Sequence, residues 1–127
     1  MFISVLSLVL FMDLLCALEN LGLREGEVKV YLDLLKSGRS PVSKIKERTN
    51  LHRTTVYDFL EGLLNKGLVN YITVSGVKNY CANDPKNFYI LIDEKKNVLN
   101  SVFDELEKIK GTKNKDFAVE VQKGKEG

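Results

Sequence analysis

The apolar positions of this chain change their period along its length, and those changes divide it into elements. After an almost wholly apolar opening, MFISVLSLVLFM, Leu14, Leu15, Leu18 and Leu21 recur at helical spacing and Gly22 closes the segment. A second helix is predicted over roughly 24–37. Its stripe of Val28, Tyr31, Leu32 and Leu35 follows the i, i+3, i+4, i+7 pattern, and Ser37-Gly38 ends it. Gly26, in its first turn, is a poor helix former there. Ser40-Pro41 reads as an N-cap followed by proline at the first helical position. The short helix this opens, over 41–48, turns Val42 and Ile45 inward and Lys44, Lys46 and Arg48 outward. Thr49 to His52 form a turn, and a longer helix from about 53 to 65 buries Val56, Phe59, Leu60, Leu63 and Leu64 before Lys66-Gly67 stops it. A short helix, a tight turn and a longer helix make a helix-turn-helix.

The period then falls to two. Leu68–Val74 and Val77–Ala82 read as strands, and Ser75-Gly76 between them is a two-residue hairpin signal. Helices followed by a hairpin give the fold class: mainly α with a small β-hairpin, a winged helix-turn-helix. Asn83-Asp84-Pro85 breaks the second strand and opens a long helix over 85–110. Heptad spacing there puts Ile92, Leu99 and Leu106 at a positions and Lys95, Val102 and Ile109 at d. Five of the six are apolar, which suits a coiled-coil-like dimerisation helix. The alternative is an amphipathic helix laid on its own domain, but a small domain has little room to cover so long a helix. Beyond Gly111 the chain turns polar, and Phe117, Val119 and Val121 then alternate like a lone strand. The expected organisation is an apolar extension over 1–11, a winged-helix domain over 12–84, a dimerisation helix over 85–110, and a linker over 111–127.

Composition changes this picture in three places. First, the net charge of +2 is uninformative, but Lys36, Arg39, Lys44, Lys46, Arg48 and Arg53 cluster in one stretch with only Glu47 opposing them. Second, Cys16 and Cys81 form no Cys-x-x-Cys pair and the chain has a single His, so no metal site is expected. Both cysteines lie in apolar runs and are expected to be buried free thiols in a reducing compartment. No Gly-rich phosphate loop, His-based constellation or carboxylate pair supports an enzyme or a cofactor. Third, the apolar opening lacks the basic start of a signal peptide, and Asp13 interrupts it as a membrane span. Translation from Met12 is the favoured reading; a packed helix and a membrane or secretory segment are the alternatives. A cytoplasmic protein follows from the favoured one.

The stretch LGLREGEVKVYLDLL at Leu21–Leu35 resembles the first core helix of the TrmB-like transcription regulators. The resemblance continues through SKIKERTNLHRTTVYDFLEGL at Ser43–Leu63, KGLV at Lys66–Val69 and VKNY at Val77–Tyr80, with RTTVY at Arg53–Tyr57 its most specific part. MarR-like and ArsR-like relatives share much of this pattern, and the second half of the motif set favours the TrmB-like one. The family pattern carries Ser, Pro and Arg where Arg24, His52 and Asn79 stand, and the last position bears on a wing phosphate contact. The resemblance implies sequence-specific binding of double-stranded DNA by a homodimer. It also implies a small-molecule effector only where an effector domain follows, whose first strand FAVEVQKGKEG resembles.

Only the first turns of a recognition helix reach base edges, which selects Arg53, Thr54, Thr55 and Tyr57, with Asp58 at the limit of reach. Arg53 can bind guanine or phosphate, and Thr54 and Thr55 can donate to phosphate or touch a thymine methyl. Tyr57 is a contact or a core-edge residue. Asp58 reads as a solvated carboxylate or an acceptor for cytosine, and His52 as a helix-start residue. Lys44, Lys46 and Arg48 are expected at phosphates, with a solvated face as the alternative, and Lys78 is expected on the wing against the minor groove or backbone. A winged helix serving protein interaction without DNA is the competing function, and the basic stretch favours DNA.

Overall fold

The computed structural model describes residue 10 and residues 13–112; the expectations for the extreme N-terminus and for the lone strand at Phe117–Val121 lie outside it. A helix over 13–20 precedes α1 (Glu25–Ser37), β1 (Ser40–Pro41), α2 (Val42–Thr49), α3 (Arg53–Asn65), β2 (Val69–Val74), β3 (Val77–Ala82) and α4 (Asn87–Thr112). Glu25 and Glu27 in the first turn of α1 and Lys36 in its last match the helix dipole. Asn50, left-handed at φ 61°, closes α2 and turns the chain into α3. Ser75 and Gly76 both have positive φ, 50° and 77°, as a type I′ hairpin requires.

The sheet is antiparallel in the order β1-β3-β2. This corrects the reading of Ser40-Pro41 as a helix start. Ser40 pairs with Tyr80 and Pro41 with Asn79, and α2 begins one residue later with Pro41 as its cap. The Ser40 hydroxyl cannot cap the helix because it donates to the Gly38 carbonyl at 2.9 Å and accepts from Arg48 at 2.8 Å. The short β1 thereby ties the wing to the helices.

The core gathers Val28, Val30, Tyr31 and Leu34 of α1, Val42 and Ile45 of α2, Val56, Leu60 and Leu63 of α3, and Leu68, Val69 and Tyr80 from the sheet side. Leu18 and Leu23 join it, as do Phe88 and Leu91 from the start of α4. Tyr31 meets Phe88 edge-on at 5.4 Å and donates to the Asn83 carbonyl at 3.1 Å. Truncating a side chain as enclosed as Leu60 costs about 2–5 kcal/mol. The expected α1 stripe needs correction: Leu35 is exposed and Leu32 half-buried, while Val30 and Leu34 take the interior. The thiols also differ from expectation. Cys16 is exposed, because two residues from the inward Leu18 is more than half a helical turn away. Cys81 is half-buried, since it alternates with the inward Tyr80 on β3.

Close packing of α1 on α3 depends on two missing side chains. A Cβ on Gly26 would lie 2.0 Å from the Phe59 ring, and one on Gly62 would lie 1.8 Å from Glu27 Oε2. Gly26 thus exchanges helix propensity for contact. Glu27 is fully buried, and its carboxylate accepts from the Arg24 backbone N–H at 2.9 Å, from Lys66 Nζ at 3.0 and 3.1 Å, and from the Arg24 guanidinium at 3.1 Å. Burial is the largest single influence on this carboxyl and would raise its pKa. The opposing hydrogen bonds and the Lys66 charge outweigh it and hold the group below the ordinary value.

Helix α4 starts later than expected because Pro85-Lys86 form a turn, in which Asp84 Oδ1 accepts from the Lys86 N–H at 2.8 Å. From Ile92 onward the chain forms a second compact unit. Every residue from Ile92 to Thr112 is exposed, including Ile92, Lys95, Leu99, Val102, Leu106 and Ile109.

Candidate nucleic-acid interface

Three inward residues of α3, Val56, Leu60 and Leu63, fix which side of that helix faces out. Arg53 and Tyr57, one turn apart, line an open groove of about 420 Å³ with Pro41, Val42 and Ser43 at the start of α2 and Gly76, Val77 and Lys78 at the wing tip. Thr54 is exposed beside Arg53, and Thr55 is half-buried toward the core. The fold therefore brings Arg53, Tyr57 and Lys78, distant in sequence, to one groove. Lys78 is held there with its ammonium 4.6 Å from the centre of the Tyr71 ring. Tyr71 in turn leans on Tyr80 at 5.5 Å.

Lys44 and Lys46 project from α2 with no hydrogen bond or ion pair among the described residues, and the same holds for the side chains of Arg53 and Thr54. Arg48 is different. Its guanidinium forms a two-pronged pair with Asp33, Nε to Oδ1 and Nη2 to Oδ2, both at 2.9 Å, and Nη2 also reaches Ser40. Asp33 accordingly raises the Arg48 pKa. That clamp joins α1, β1 and α2, and it engages Nε and Nη2 of the guanidinium.

Two side chains have partners in the fold that the sequence did not reveal. Arg39 counted toward the basic stretch without a role, yet its Nη1 reaches the Asn79 carbonyl at 3.5 Å, which sets a guanidinium beside the wing. Its signal in sequence was merely its charge. Asp58 is paired with Arg24 at 3.0 Å, so it is not a bare carboxylate facing solvent. The Asn79 side chain turns back on its own strand, donating to the Val77 carbonyl at 3.1 Å. Among the described residues no group of His, Cys, Asp or Glu is gathered as a metal site would need.

A family model described as the sugar-specific transcriptional regulator TrmB matches residues 18–86, more than half of the chain. Two uncharacterized proteins of Methanocaldococcus jannaschii are similar over shorter stretches. One is 52% identical over 50 residues, which are 39% of this chain and 42% of the relative; the other is 46% identical over 48 residues, 38% and 36%. The matched stretch thus spans about two-fifths of those relatives. Among solved structures, the YusO protein of Bacillus subtilis aligns with a TM-score of 0.52 at 19% identity, covering 95% of this chain and 92% of that one. An ArsR-like transcriptional regulator of Rhodococcus aligns at 0.50 and 17%, covering 80% and 93%. At such identities the likeness speaks to fold, and the fold is a winged helix.

Proposed function

The chain belongs to the TrmB family of transcriptional regulators, and from that premise we propose that it binds duplex DNA at chosen sequences as a homodimer. The observation that carries the reading is the contrast in how basic side chains are used. Arg24, Arg48 and Lys66 are consumed by carboxylates, whereas Lys44, Lys46 and Arg53, around the recognition helix, are left without partners among the described residues. Lys44 and Lys46 neutralise phosphates, Arg53 reads a base edge, Thr54 and Thr55 add short-range contacts, and Lys78 steadies the wing on the backbone or in the minor groove. Tyr57, open to the groove, packs against the sugar-phosphate edge. Arg48 serves the fold instead.

Dimerisation falls to α4 through Ile92, Lys95, Leu99, Val102, Leu106 and Ile109, whose exposed apolar members want a partner. A two-fold dimer would read half-sites separated by about one helical turn of DNA or a multiple of it. An effector belongs to this scheme only where a further domain is present. No helix among the described residues is long and apolar enough to cross a membrane, and a regulator of transcription works in the cytoplasm, without catalysis.

Selection of bound duplexes from a random pool tests this directly. A two-fold symmetric motif is the expected product. Failure to enrich any motif would sink the reading, and the exposed apolar wing residues Ile72, Val74 and Val77 would then favour a protein partner.

A further inference from the structure

Asp58 stands on the outward side of the recognition helix, where a free carboxylate works against docking on phosphates. It is not free. Arg24, just before α1, donates from Nη1 to Asp58 Oδ2 at 3.0 Å and from Nη2 to the Asp58 carbonyl at 3.4 Å. The same Nη2 reaches Glu27 Oε2 at 3.1 Å, and the guanidinium carbon lies 5.0 Å from the centre of the Phe59 ring. These contacts hold one planar cation in a single place along the flank of α3.

We propose that Arg24 is a positioning residue for DNA binding: it cancels the charge of Asp58 and fixes that carboxylate against the protein, so that α3 can approach the phosphates of a duplex. The inference rests on the reading of the chain as a duplex-DNA binder. Stability does not account for the arrangement, because Arg24 is 51% exposed and Asp58 64%, and pairs so exposed add little to it. The buried anchor is Glu27, which Lys66 and Arg24 hold together; the arm of Arg24 that continues to Asp58 acts at the surface. Glu61 also faces solvent on α3, a turn further from the helix start and thus from the groove.

The test measures affinity for the selected duplex and for a scrambled one, at fixed low salt, for wild type, Arg24→Gln, Asp58→Asn, the double variant and Arg24→Lys, together with melting temperatures. Loss of the cation leaves a carboxylate near phosphates, so Arg24→Gln should weaken both duplexes about three- to tenfold. The double variant should recover to within about twofold of wild type, and Arg24→Lys should retain most of the affinity. Asp58→Asn alone should not weaken binding and should tighten it by up to about the factor that Arg24→Gln loses, since it leaves the Arg24 cation uncancelled. That measurement stands even if Arg24→Gln folds poorly. A double variant as weak as Arg24→Gln would mean that Arg24 itself touches phosphate, and the proposal fails. It fails equally if Arg24→Gln binds like wild type, or if Asp58→Asn alone weakens binding. Wild type binding no duplex at all would overturn the DNA reading and this inference with it, whereas binding without rescue overturns this inference alone.

Discussion

The carboxylate of Glu27 shows how one side chain decides several others. It is fully buried, yet it stays ionised because an N–H, an ammonium and a guanidinium converge on it. Glu27→Gln should lower stability at neutral pH by about 2 kcal/mol, the size expected when a buried group loses charge-assisted hydrogen bonds. The pH dependence follows from the direction of its shift. The folded pKa lies below the ordinary value of 4.5, so the stabilisation is complete above that value and is lost as pH falls through the folded pKa. Chemical denaturation of wild type and Glu27→Gln should therefore show a gap at pH 7 that narrows below about pH 4.5; a gap that widens in acid would refute the assignment. Gly62→Ala should also lower the melting temperature, because its methyl would displace the same carboxylate. The two changes should be markedly non-additive when combined. Simple addition would mean that Gly62 matters for another reason. The sequence marked Gly26 as a local weakness, but its contact with Phe59, thirty-three positions away, depends on a packing distance that no periodicity encodes.

Elements with a sustained period were legible; those without one were not. α3 came within its observed bounds because thirteen residues repeat one apolar face, and the hairpin because two strands flank a turn that favours positive φ. β1 escaped notice because two residues carry no period, and Ser-Pro imitates a helix start. The pairing of Arg48 with Asp33 was hidden for a similar reason. An outward position on α2 describes both a phosphate ligand and a partner for Asp33, and only the α1–α2 packing distinguishes them. On α4 the heptad register marks the proposed seam but passes over Phe103, half exposed beside it. Leu99→Asp combined with Leu106→Asp should give a monomer in sedimentation, and Lys95→Leu should tighten self-association by removing the one charge from the seam. A double variant that still sediments as a dimer would place the interface on another surface.

At the scale of the molecule, the proposed interface separates cations that bind from cations that build. Binding measured against salt concentration should expose the division. Lys44→Ala and Lys46→Ala should each flatten the slope of log K against log salt by about 0.9 and weaken all sequences alike. Arg53→Ala should instead cost about 1–3 kcal/mol on the preferred site and relax selectivity there. Arg48→Ala should leave the slope unchanged and depress the melting temperature, because its loss strands Asp33. An Arg48→Ala protein with normal stability and a flattened slope would return that residue to the phosphates. The sequence singled out this stretch through the density of its charge, but it could not apportion the charge, since pairing depends on carboxylates contributed by other helices. The division reaches further, to how such a protein can change over time. Within α3 the core is held by Val56, Leu60 and Leu63, while Arg53 and Thr54 have no side-chain partner among the described residues. Substitution at those outward positions costs the fold little. A duplicated copy could therefore drift to a new operator through two or three such changes, its scaffold untouched and each intermediate still folded.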